Sequence, residues 1–303
     1  MLSLRARGLR FIMKRAKPKE ERTLEEDREQ FKKITRYPPP KTVSYEKVTL
    51  NGIPSLRFTP KNPKPNCHIL YLHGGGYMMG SPEIYRSPVG LIAHMTNTVV
   101  TAVDYRLAPE NPYPAGIEDC VTAYLALQNK TGDAIAVAGD SAGGGATLAT
   151  AVSLRDNHGL SPSCLYMISP WLDLTHSGES MDTKAELDVM LAPDWIRTGA
   201  DRYRGKESAN NPGISPLFAD LKGLAPMLIQ VGDEELLLSD SERLANLAIE
   251  AGVKVEIEIA KGLWHVYPLF GGFIPEAKKS LKEAVRFINL HNKSKKNLTD
   301  END

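Results

Sequence analysis

Short apolar runs recur along the chain at 68–72 (HILYL), 98–103 (TVVTAV), 134–138 (AIAVA), 164–168 (CLYMI), 227–231 (MLIQV) and 253–259 (VKVEIEI). Longer stretches of helical character separate most of them, near 83–96, 116–130, 142–157, 239–251 and 276–291. A strand followed by a helix and then another strand makes a crossover. Repeated crossovers build a parallel sheet with helices on both faces. Two earlier strand-like segments, 43–50 and 54–59, flank Asn51-Gly52, a pair suited to a tight hairpin turn. The fold class read from this pattern is α/β.

One interval breaks the rhythm. The stretch between the runs at 164–168 and 227–231 is too long for a single crossover. It holds Trp171, Trp195 and the turn signals Ser177-Gly178, Asn211-Pro212-Gly213 and Ser215-Pro216. Residues 172–215 are therefore read as an inserted lid. Residues 1–44 are helical and charged up to the Tyr37-Pro38-Pro39-Pro40 break, and are expected to join the insertion as a cap over the carboxyl edge of the sheet. The catalytic core is then 45–171 with 216–292, and the polar tail 293–303 is expected to be disordered.

Composition excludes several classes. Lys and Arg number 37 and so do Asp and Glu, so no broad field draws the chain to nucleic acid. Three cysteines do not make a disulfide framework, and the expected compartment is the cytoplasm. No Cys/His spacing suggests zinc, and no apolar run reaches membrane-spanning length, so stable membrane insertion is not expected. The N-terminus is basic and interspersed with apolar residues. A membrane-surface helix is one reading of it, and a cap helix or frayed end is the reading preferred.

The chemistry concentrates at strand ends. Gly139-Asp140-Ser141-Ala142-Gly143 has the form GxSxG between the strand AIAVA and a helix, the context of a nucleophile elbow. His73-Gly74-Gly75-Gly76-Tyr77 follows the strand HILYL. Such a loop leaves backbone N–H groups free for an oxyanion, with Ala142 supplying the other half of the hole. Walker and dinucleotide glycine patterns both fail here. An acid and then a histidine must follow the serine. Asp233, Glu234 and Glu235 come directly after MLIQVG, and His265 lies just past VKVEIEI. The other histidines, His68, His73, His94, His158, His176 and His291, stand in unsuitable places for a base.

These segments resemble the hormone-sensitive lipase-like esterases, in their bacterial GDSAG branch. The resemblance rests on HGGGY at 73–77, DYRLAPE at 104–110 with Tyr113-Pro114-Ala115, GDSAGG at 139–144, SPWLDLT at 169–175 and GLWH at 262–265, and covers roughly 45–290. It implies an α/β-hydrolase fold with a mostly parallel eight-stranded sheet, a helical cap and no cofactor. The implied reaction is hydrolysis of small-molecule, short-chain acyl esters, with tolerance of bulky alcohols. It also implies that Asp104 and Arg106 pair with each other beside the site. The family places an aspartate two residues before a leucine after this strand. Aligning Leu237 with that leucine makes Glu235 the acid, with Asp233 the rival. The expected triad is Ser141, Glu235 and His265. The expected oxyanion donors are Gly75, Gly76 and Ala142, with Gly74 assisting. Trp195, Met190 and Leu191 are expected to narrow the acyl pocket. Two other activities stay open: hydrolysis of amides, lactones or lipids, and small-molecule reception on the same fold. A homodimer is among the oligomeric states left open.

Overall fold

The computed structural model describes residues 2–17, 22–34 and 38–293. Of the 293–303 tail only Lys293 is included, and the expected disorder there lies outside the described residues. So does Tyr37 of the helix-ending break.

Eight strands form one sheet: β1 (Val43–Leu50), β2 (Ile53–Pro60), β3 (Cys67–Leu72), β4 (Val99–Val103), β5 (Ala134–Asp140), β6 (Leu165–Ile168), β7 (Met227–Gly232) and β8 (Val255–Ala260). Their spatial order is β1-β2-β4-β3-β5-β6-β7-β8. β2 runs antiparallel to β1 and β4, and every other pairing is parallel. Asn51 and Gly52, with φ of 47° and 87°, make the hairpin turn between β1 and β2.

The period of two along each strand divides the core. Ile69 and Tyr71 of β3, with Ala136 and Ala138 of β5, face one hydrophobic cluster. Leu70 and Leu72, with Ile135 and Val137, face the other. The helices α3 (Arg86–Thr96) and α9 (Pro275–His291) cover the first face, and α4 (Ala115–Thr131), α5 (Ala142–His158) and α8 (Leu238–Glu250) cover the second. α5 is buried along most of its length and touches β3, β5 and β6. This explains why its sequence, AGGGATLATAV, lacks the polar face of a surface helix.

Above the carboxyl ends of the strands lie α1 (Leu4–Ala16), α2 (Leu24–Ile34) and two helices of the long interval, α6 (Ser180–Thr183) and α7 (Pro193–Arg204). α2 begins with a capping box. Thr23 N–H donates to Glu26 and Glu26 N–H donates to the Thr23 hydroxyl. Trp195 Nε1 of α7 donates to Asp27 of α2 at 2.8 Å. Arg28 of α2 donates to the carbonyl of Met78 and to both carboxylate oxygens of Glu110. α2 and the interval 172–215 therefore meet over the loop that follows β3. No helix among the described residues is long and apolar enough to cross a membrane.

Candidate active site

Ser141 occupies the junction of β5 and α5 with φ 55° and ψ −122°, a conformation that non-glycine residues adopt only under strain. Its neighbours make the turn feasible. A Cβ on Gly139 would lie 2.2 Å from the Gly143 carbonyl oxygen, and one on Gly143 would lie 2.0 Å from the Leu72 oxygen. Only glycine lets the helix start this close to the sheet. The Ser141 backbone is held on both sides: its N–H donates to Ile168 O and its carbonyl accepts from Trp171 N–H.

The Ser141 hydroxyl lies 3.0 Å from His265 Nε2. On the far side of the ring, Nδ1 lies 3.4 Å from Glu235 Oε2, longer than a good hydrogen bond. Such contacts are often loose until a ligand is bound. Ser141 is 9 % exposed, His265 3 % and Glu235 0 %. Ser169 ties the last two together. Its hydroxyl donates to Glu235 Oε2 at 2.9 Å and accepts Val266 N–H at 2.9 Å.

The electrostatics follow from burial and from these neighbours. Burial pulls the His265 pKa down, but Glu235 beside it, with Asp188 and Asp140 farther off, outweighs burial and leaves it above its ordinary value. Burial pushes the Glu235 carboxyl up, against the opposite pull of His265. A histidine that faces a serine on one side and a buried carboxylate on the other can accept the hydroxyl proton and be stabilised once charged.

Asp233 lies elsewhere. Its carboxylate accepts Gly262 N–H at 2.5 Å and thereby fixes the loop that leads to His265. Of the two rival acids, the structure brings Glu235 to the histidine and gives Asp233 a backbone partner.

Among the described residues, the N–H groups of Gly75, Gly76 and Ala142 carry no hydrogen bond. Gly74 differs from the sequence expectation. Its N–H donates to Asp140 Oδ1 at 3.1 Å and so is not free for an oxyanion. Asp140 also accepts from the hydroxyls of Tyr71 and Tyr85, and burial raises its pKa to about 6. It fastens the glycine loop to the elbow.

The Arg106 expectation is corrected too. The guanidinium pairs with Asp119 of α4, at 2.8 Å, rather than with Asp104. The Arg106 N–H donates to the same carboxylate. A partner thirteen residues downstream satisfies both the side chain and the backbone, which Asp104 does not.

Trp195 sits over the glycine loop, where a Cβ on Gly76 would come within 2.7 Å of its ring. Leu191 is partly buried against the core, and Met190 lies at the surface, 36 % exposed. His73 stacks on Tyr105, and burial lowers its pKa to about 4. Among the described residues no group of His, Cys, Asp and Glu could hold a metal ion.

Sequence reasoning missed Asp140, Tyr71, Tyr85, Ser169 and Asp188. Asp140 and Ser169 lay inside the quoted motifs, and their place beside the nucleophile and the strand end was the available signal. Asp188 carried none. Its carboxylate accepts the N–H groups of Met190, Leu191 and Leu236 from within the insertion.

The chain is similar to known α/β-hydrolases and esterases. Residues 69–269 match a family described as having the alpha/beta hydrolase fold. An esterase of Acinetobacter venetianus is 37% identical over 222 residues, spanning 72% of this chain and 73% of its own length. An acetyl-hydrolase of Streptomyces hygroscopicus is also 37% identical over 222 residues, covering 73% and 74%. A solved hormone-sensitive lipase from a metagenome library superposes with a TM-score of 0.91 at 39% identity, over 94% of this chain and 98% of that one.

Proposed function

Because the chain belongs to the hormone-sensitive lipase-like group of the α/β-hydrolase family, we propose that it hydrolyses short-chain carboxylic esters through an acyl-enzyme on Ser141. The observation that carries this reading is the 3.0 Å contact between Ser141 Oγ and His265 Nε2, with the Glu235 carboxylate behind the ring.

In this mechanism His265 Nε2 takes the serine proton as Oγ attacks the ester carbonyl. The oxyanion that forms is held by the N–H groups of Gly75, Gly76 and Ala142. Loss of one such donor typically costs about 3–4 kcal/mol of barrier. The alcohol leaves with the proton from His265, and water repeats the sequence on the acyl-enzyme. Glu235 keeps the proton of neutral His265 on Nδ1 and stabilises the imidazolium.

The names of the relatives, an esterase and an acetyl-hydrolase, favour short acyl groups. Trp195 over the glycine loop supports a narrow pocket. Three buried, free cysteines support a cytoplasmic site of action. The equal numbers of acidic and basic residues support a partner set of small esters without nucleic acid. The test is labelling with a fluorophosphonate and turnover of p-nitrophenyl acetate and butyrate. Wild type should label and turn over, and Ser141→Ala should do neither while keeping its fold. Ester turnover by Ser141→Ala near the wild-type rate would overturn the assignment.

A further inference from the structure

The two faces of α1 have different jobs. The inner face carries the buried Ala6 and the partly buried Leu9 and Met13, with Leu2 just before the helix beside them. They pack on Leu263, Trp264 and Tyr267, the residues on either side of His265. The outer face carries exposed apolar residues: Leu4 is 79 % exposed, Phe11 57 % and Ile12 62 %. These three, with Gly8, recur at the i, i+4, i+7, i+8 spacing of a single helical stripe. Among the described residues nothing lies within 4 Å of where a Gly8 Cβ would be, so the stripe is open at that point.

The charges carried by the helix itself all have one sign. The helix sequence LRARGLRFIMKRA contains no acid. Arg10 points inward to Glu234, and Lys17, just past the helix, donates to the Asp188 carbonyl. Arg5, Arg7, Lys14 and Arg15 are exposed, and among the described residues none of them pairs with a carboxylate. At 100° per residue, Arg5 lies on one side of the stripe, and Arg7 and Lys14 lie on the other. Arg15 projects from within the stripe, its guanidinium over the Phe11 ring at 4.2 Å.

We infer that the outer face of α1 docks on the surface of an anionic phospholipid bilayer, lying in the headgroup plane without crossing it. Exposed aromatic and aliphatic side chains flanked by unpaired cations suit that boundary, where apolar groups reach the acyl chains and cations meet phosphates. Charge argues against a second copy of the chain as occupant, because two such faces would confront one another with cations and no anion. Docking would bring the lipid surface to the helix whose inner side packs on the loop of His265.

Flotation of the full chain with vesicles tests this. Mixed phosphatidylglycerol–phosphatidylcholine vesicles should carry the protein upward at low salt, pure phosphatidylcholine vesicles far less, and added salt should weaken the association. Phe11→Ser with Ile12→Ser should lower partitioning at least about tenfold. Arg7→Gln with Lys14→Gln should lower it about fivefold per charge removed. Both double variants should hydrolyse a water-soluble ester like wild type. The inference falls if wild type stays with the soluble fraction on anionic vesicles, or floats equally on neutral ones. It falls also if the variants float like wild type. Concentration-dependent self-association that the variants abolish, without flotation, would assign the face to a second copy instead.

Discussion

Asp188 Oδ2 accepts the backbone N–H of Leu236 at 3.0 Å, so a buried carboxylate from the insertion grips the residue next to the acid that faces His265. The same carboxylate helps hold the His265 pKa above its ordinary value, behind the larger effect of Glu235. A general base works only when neutral. The rising limb of kcat/KM with pH should therefore lie above the unperturbed histidine value of about 6.5. Asp188→Asn should move that limb to lower pH and reduce stability, because an amide cannot accept all three N–H groups. A pH–rate profile and a melting curve on the same variant check both. An unmoved limb would leave Asp188 with a purely structural role.

Glu235 and Asp233 separate kinetically. Glu235→Gln should lower kcat by about 10³–10⁴, through loss of the His265 tautomer and of imidazolium stabilisation. Asp233→Asn weakens one bond to Gly262 N–H and should cost on the order of 1 kcal/mol in stability. Steady-state kinetics with thermal melts on both variants would expose a reversed assignment.

Asp140→Ala leaves the hydroxyls of Tyr71 and Tyr85 and the N–H of Gly74 without their acceptor. Each unpaired buried donor costs about 1–3 kcal/mol, so the melting temperature should fall steeply. The glycine loop also loses its tether to the elbow. kcat should drop more than KM rises, since the oxyanion donors act mainly in the transition state. A variant with normal kcat would separate Asp140 from loop positioning.

Trp195→Ala should lengthen the preferred acyl chain. Each methylene accommodated in the opened space is worth up to about 0.8 kcal/mol in kcat/KM. Chain-length profiles of p-nitrophenyl esters for wild type and variant provide the measurement. Coincident profiles would place the acyl group away from Trp195.

Strand and helix positions were legible because each is written in a local period. The runs HILYL and AIAVA bury both faces, and the helices between them follow from lengths and turn residues. The elbow was legible for a related reason: Gly139 and Gly143 are dictated by backbone contacts that no other residue allows. Glu235 was reached only by register against a family pattern, since three carboxylates follow β7 and sequence does not say which one turns inward. The Arg106 pairing was misread because Asp119 sits on the next helix and meets Arg106 only after α4 packs. Gly74 was misjudged because its N–H partner, Asp140, comes from a different strand. Asp188 was invisible because a carboxylate accepting backbone N–H groups inside an insertion leaves no pattern in residue type.

The contacts of α1 also carry a timetable. Ser3 bonds Glu276 across 273 positions of sequence, and the other ground beneath α1 is Glu234, Leu263 and Trp264. During synthesis this helix leaves the ribosome long before the surface it covers exists, and non-local contacts of this kind close late. The segment translated early is thus among the last fitted. Until it docks, the loop bearing His265 lacks one wall, so the nascent enzyme remains unfinished around His265 until α9 has been made.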